Sequence, residues 1–272
     1  MHYQSLGYMP RAPLVYTVGM LEYAPVPAMA DYAPSIQEAL RREFPEILQK
    51  FSVKTVQINV DTAKQTQEFR QVEAFHWSMN TPERGWGVVF GQNRLILQTG
   101  RYTHFGDFAD KIRRVIDVLV REAAITHTSN VGIRYVDNIR DMSDLTINEQ
   151  LGTGFLSPEL TEEFRPEISR VEHIYKSSDG NLFLRCYGLQ NHPGIPDDIL
   201  PMANQIFHGQ GPMTPISERF VLLDTDHIYN PDHLEPFDVD QVIDRLRRLH
   251  EGASMAFRAA VTEEAIEAWG RE

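Results

Sequence analysis

The densest stretch of residues able to do chemistry is DTDHIYNPDH, which crowds together Asp224, Asp226, His227, Asp232 and His233. Carboxylates and imidazoles at this density suit Zn2+ or Mn2+, which accept oxygen and nitrogen donors. Strand geometry works against a metal site, because Asp224 and Asp226 share one face while His227 points to the other. YNPDH has the composition of a turn. No His-Glu-x-x-His or comparable ligand spacing accompanies the stretch, so no metal and no cofactor is expected.

Two arginines inside apolar runs come next, Arg134 in GIRYVDNI and Arg185 in LFLRCYG. A cation on a buried sheet face must be paired, and the planar guanidinium suits a carboxylate or a phosphate. Either they form an anion site on one sheet face, or they point outward or make structural pairs with Glu172 or Asp137. His76 and Trp77 in EAFHWSMN, with Trp86 in GWG, place aromatic mass on adjacent strands. That could stack a base or a sugar, or be ordinary cross-strand packing. Cys186, in an apolar run, has no neighbour that would lower its pKa and reads as a buried inert thiol. The chain lacks Gly-x-Ser-x-Gly, a P-loop and a dinucleotide fingerprint, so no catalytic residue is assigned.

Composition narrows the field further. With 42% apolar and 24% charged residues the 272-residue chain has globular proportions, which excludes disorder, collagen and coiled coil. No apolar run approaches the length of a membrane span, and the opening residues MHYQSLGYMPRAPLVYTVG lack the pattern of a secretory signal. A single cysteine fits a reducing, cytoplasmic setting. The net charge of −12 makes nucleic-acid binding unexpected and suits a basic protein partner, or solubility alone.

These side chains must be positioned by strands and helices whose order repeats. RLILQTGRYTHFGDFADKIRRVID from Arg94 returns as RFVLLDTDHIYNPDHLEPFDVDQVID from Arg219. The first half reads as a strand (LVYTVGMLEY), a helix opening at a Ser35–Glu38 capping box, strands ending at RLILQTGRY, and a helix from about Asp107 to Arg121. KTVQINV is a short strand or a loop arm. The second half reads as the strand NVGIRYVDNI, a broken helix, a hairpin about Asp179-Gly180, the strand RFVLLDTDHIY, and a helix from about Asp238 to Gly252. A last strand, SMAFRAAV, then leads to a short helix capped by Thr262. The expected fold is α+β: an internally duplicated strand-helix-three strands-helix unit, with an antiparallel sheet and helices on one face. The pseudo-repeats span residues 1–127 and 128–272 in one compact body. The order resembles that of the TATA-binding-protein shape and the helix-grip fold, an analogy that carries no function.

One segment breaks the repeat. Residues 191–218 are inserted between the last two strands of the second half and carry Ile195, Ile199, Leu200, Met202, Ile206 and Phe207. Apolar side chains at this density pack either on their own domain or on a partner, and the partner-binding reading assigns these six as anchors.

APLVYTVGMLEY, GWGVVFGQNRLILQTGRYTHFGDF, NVGIRYVDNI, LLDTDHIY and LHEGASMAFRAAVTEE, in this order, resemble a sporadically distributed family of uncharacterised bacterial proteins about 260 residues long. The resemblance covers nearly the whole chain and implies no activity, cofactor or catalytic residue. The family's patchy occurrence is of the sort found among mobile or defence-linked genes. Two functions are therefore expected in turn. The first is a non-catalytic cytoplasmic protein-binding module, in its concrete form an immunity or antitoxin protein. The second is a small-ligand-binding protein or enzyme with Arg134, Arg185, His76 and Trp77 about a cleft between the pseudo-repeats.

Overall fold

The structure is a computed structural model. It describes residues 9–61, 66–158, 160, 161, 163, 164, 167–207 and 214–270, with side chains outside 48–74. In chain order the elements are β1 (Leu14–Tyr23), α1 (Met29–Leu40), β2 (Glu46–Asp61), β3 (Thr66–Asn80), β4 (Trp86–Gly91), β5 (Arg94–Thr99) and α2 (Phe105–Ala123). They continue with β6 (His127–Ile139), α3 (Ile147–Gln150), β7 (Ser169–Ser177), β8 (Gly180–Leu189), α4 (Leu200–Phe207), β9 (Phe220–Tyr229), β10 (Glu235–Pro236), α5 (Val239–Ala260) and α6 (Glu263–Ala268). The strands form one sheet in the order β2-β3-β4-β5-β1-β6-β9-β8-β7, and β10 adds to β6. All pairings are antiparallel, so with its helical layer the class is α+β.

The neighbour order on either side of the central β1–β6 pair is the same, since β3-β4-β5-β1 answers β7-β8-β9-β6. On one sheet face α1, α2 and α5 bury Ile36, Phe108, Ile112, Ile116, Leu246 and Leu249 against strand residues such as Leu97 and Ile133. Beside them α3 and α6 close over β8 and β9 through Ile147, Ile266 and Trp269.

The other face is not bare. The helix α4 and the segment before it lie on it, burying Ile195, Ala203 and Ile206 against Tyr16, Val18, Val136 and Leu222. The expectation of helices on one face alone is corrected here. The reason is visible in β1, which buries successive residues Tyr16, Thr17 and Val18 and therefore needs apolar cover on both sides. The ends of the insertion are tied by two bonds, Asn191 N to Ile216 O at 2.8 Å and Ile216 N to His192 O at 2.9 Å. Its middle is pinned to β3, where the Ser78 hydroxyl donates to Gln205 Oε1 at 2.7 Å and Asn80 Nδ2 donates to the Gln205 carbonyl at 2.9 Å.

Three local expectations are also corrected. The first helix begins at Met29 rather than at a Ser35 cap, because its buried stripe Met29–Ala33–Ile36–Leu40 reaches further back than the polar signal and carries Pro34 within it. KTVQINV is no loop arm, since β2 pairs with β3 from Glu46↔Asn80 to Asp61↔Thr66. SMAFRAAV is not a strand: Leu246, Leu249, Ala253 and Ala260 recur at helical spacing, and α5 runs on to Ala260. Gly252 does not stop that helix. The Cβ of any other residue there would fall 2.6 Å from the His227 ring, so the glycine lets α5 approach β9.

Candidate functional site

Alternation along β6 sends Ile133, Tyr135 and Asp137 to the helical face and Arg134 and Val136 to the other. Thr225 of β9 is the register partner of Tyr135. Near this point the helical layer parts. A cleft of about 290 Å3 opens between the start of α2, the C-terminal half of α5 and the chain before β1. Tyr135, Asp137 and Thr225 line its floor, and Tyr102, Phe105, His250, Ser254 and Phe257 line its walls. Both halves of the chain contribute.

Tyr135 Oη lies 2.8 Å from His250 Nδ1, and Ser254 Oγ, one turn further along α5, lies 3.3 Å from the same nitrogen. The Phe105 ring stacks on the imidazole with centroids 4.6 Å apart. Tyr102 Oη approaches Tyr135 Oη at 3.4 Å. Burial lowers the His250 pKa to about 4, so the imidazole is neutral at physiological pH and can accept from a hydroxyl at Nδ1. Burial raises the Tyr102 phenol to about 12 and Tyr135 well above its ordinary value.

Asp137 is the unusual member. Only 3% of it is exposed, and no described side chain or backbone amide donates to its carboxyl oxygens. Loss of hydration first, and then the Asp224 charge behind the sheet, raise its pKa from 3.8 to about 8. It therefore enters the cleft as a neutral carboxylic acid at pH 7. Thr225 Oγ1, also buried and lining the cleft, has no hydrogen-bond partner among the described residues. A carboxyl group driven up and an imidazole driven down beside one cavity are arranged as an acid and a base would be.

Of the residues expected to form a site, Arg134 and Arg185 meet at Asp224, while His76 and Trp77 lie elsewhere. Arg134 is clamped by two carboxylates: Nε and Nη2 donate to Asp224 at 2.7 and 2.8 Å, and Nη1 and Nη2 donate to Asp198 at 2.7 and 3.1 Å. Arg185 donates to Glu172 at 2.7 Å and to Asp224 at 3.1 Å. Their guanidinium groups are matched by acids of the chain itself, which corrects the anion-site reading; Glu172 is one of the pairs expected, while Asp137 lies on the opposite face from Arg134. Because Asp198 belongs to the insertion, this ion network also holds the insertion to the sheet.

Trp77 stacks on Phe90 at 5.6 Å within the helical-side core. His76 faces the opposite side on β3, four strands from β6, roughly 19 Å at the usual strand spacing. Neither borders the cleft. Trp86 packs beside Phe108 under the Lys111 ammonium. Cys186 is buried, with its thiol pushed up to about 12. Asp224 and Asp226 do share a face, but they meet arginines. Among the described residues no group of three or more His, Cys, Asp and Glu side chains is placed to hold a metal ion.

Of the six apolar residues assigned to a partner, Ile195 and Ile206 are fully buried on the chain's own sheet, and Ile199, Leu200, Met202 and Phe207 pack around them. Their apolar surface is thus taken up by the chain's own sheet, wholly at Ile195 and Ile206 and in part at the other four. No protein-family model matches the chain, and no curated protein matches it. Among the described residues no helix is long and apolar enough to cross a membrane.

Proposed function

We propose that the chain binds a small molecule in the cleft between β6, β9, the start of α2 and α5. The observation that carries this reading is Asp137, a buried carboxyl group without a hydrogen-bond donor among the described residues, facing a cavity shared by both halves. A polar group buried without a partner costs stability, and a site that receives a ligand is where such a cost is offset. Aromatic walls with a few convergent polar groups are the usual make-up of small-molecule sites.

The test is a thermal-shift screen of a metabolite library against the full chain and against Ser254→Leu, which fills the cleft. A ligand at a hundredfold its Kd stabilises by about 2.7 kcal/mol, or about 5–10 °C for a chain of this size. The wild type should respond to a narrow set of compounds, and Ser254→Leu should fold and respond to none. Equal responses from both proteins would remove the cleft from consideration.

A protein partner remains a second reading, favoured by a different observation. The edge strand β7 carries Ile174 and Tyr175 at 63% and 52% exposure, and Phe164 and Ile168 just before it are exposed as well. A basic partner adding a strand to this edge fits both the free edge and the net charge of −12. Ile174→Lys should abolish such pairing while leaving cleft binding intact.

A further inference from the structure

We propose that the ligand of this cleft is an amine, its ammonium group seated among Asp137, Thr225 and Tyr135 and its carbon body held by the surrounding aromatic rings. The proposal rests on the small-molecule reading above and specifies the chemistry that the site selects.

Every polar group on the cleft floor can accept, Asp137 with both oxygens once it is ionised. Among the described residues no side chain or backbone amide donates to the Asp137 carboxyl, and Thr225 Oγ1 has no partner. The Tyr135 hydroxyl lies against His250 Nδ1 and, when it donates there, keeps a lone pair for the cavity. An ammonium group brings three donors and no acceptor, which complements such a floor. A carboxylate or phosphate ligand would meet the Asp137 carboxylate, and Arg258, a cation lining the cleft, is already engaged. The rings of Tyr102, Phe105 and Phe257 line the walls above the Tyr135 ring, and aromatic faces attract a cation.

The other charged or titratable groups around Asp137 do not oppose this. His104, at the mouth, is engaged with Asp107 at 3.1 Å. Arg258, at the rim of α5, already has a partner. His250 is kept neutral by burial, and Tyr102 and Tyr135 hold their protons. Asp224, behind the sheet, adds negative potential.

Amine binding requires Asp137 as carboxylate, and the ammonium stabilises that form. With the free carboxyl titrating at about 8, an amine bound at pH 7 must displace close to one proton per site. Affinity should then rise about tenfold from pH 6 to 7 and about fivefold from pH 7 to 8.

The experiment is a titration of the full chain with phenethylamine and with its neutral isostere 2-phenylethanol, followed by chemical-shift changes at several pH values. The amine should bind at least tenfold more tightly than the alcohol at pH 8, with the rising pH profile. Asp137→Asn should lose both the preference and the profile. If the alcohol binds as well as the amine, or the profile is flat, the amine assignment falls and the cleft stands as a site for neutral ligands. Binding of neither compound also overturns the amine assignment, and the Ser254→Leu screen then decides the cleft independently.

Discussion

Replacing Asp137 with asparagine should stabilise the protein at neutral and alkaline pH. In the unfolded chain the carboxyl titrates near its ordinary 3.8, whereas in the folded protein it titrates at about 8. The folded state therefore holds a proton that the unfolded state has released, and stability falls as pH rises from 3.8 through 8. At 1.36 kcal/mol per pH unit the whole window amounts to about 6 kcal/mol. Relaxation of the cleft and entry of water reduce this, and about half of it is a reasonable expectation. Asparagine has the same shape and no proton to lose. Wild type and Asp137→Asn should melt together near pH 4 and diverge as pH rises. By pH 9 the variant should be more stable by about 3 kcal/mol, roughly 6–12 °C. Melting curves of both proteins at intervals from pH 4 to 9 provide the check. Every other titrating group, including Asp226 with its pKa raised to about 6, is common to the two proteins and cancels in the difference. Parallel curves across the window would refute the burial argument for Asp137, and with it the main support for the cleft.

Arg134→Met breaks the clamp on Asp224 and Asp198 and should cost about 3–5 kcal/mol, as removal of one partner of a buried ion pair does; urea melts measure it, and limited proteolysis should cut within 195–207 sooner than in the wild type. Substituting a short glycine-containing turn for 191–218 uncovers Tyr16, Val18, Val136 and Leu222, so the product should aggregate or melt far lower; a soluble product melting like the wild type would contradict the packing of the insertion. Gly252→Ala drives a methyl group into the His227 ring and should cost about 1–3 kcal/mol, read from the same urea melts.

Much of the frame was legible because it is local. The apolar faces of α2 and α5 show in the spacing of Phe108, Ile112, Val115 and Leu119 and of Val242, Leu246 and Leu249. The turn before Gly180, whose φ of 137° an L-residue rarely adopts, shows in the Asp179-Gly180 pair. The fate of the insertion was less legible, since apolar residues in a loop look alike whether they cover the chain's own sheet or a partner. Its cue lay elsewhere, in β1, where consecutive residues are buried on both faces.

The cleft was missed for two reasons. Asp137 reads in the sequence as a partner for Arg134, although three positions along a strand place them on opposite faces. His250 sits within the apolar stripe of α5, one turn beyond Leu246, where an imidazole is expected to be buried. Parity and helical spacing could have marked both residues. Nothing local could have brought Tyr102 to Tyr135, or Tyr135 to His250, because those encounters depend on the whole sheet closing.

The central pairing of β1 with β6 has a consequence for how the chain emerges from a ribosome. Register partners such as Val18 and Arg134 are separated by roughly a hundred residues, and at elongation rates of about 5–20 residues per second β1 waits many seconds for its inner neighbour. During that interval β5 can protect one side of β1, while its other edge and Tyr16 and Val18 remain uncovered until β6 and the insertion have been made. The first half alone is thus a nascent chain with an open, apolar edge, the kind of surface that ribosome-associated chaperones shield. Stalled chains ending near residue 125 should be protease-sensitive in β1, and chains long enough to include β9 should not.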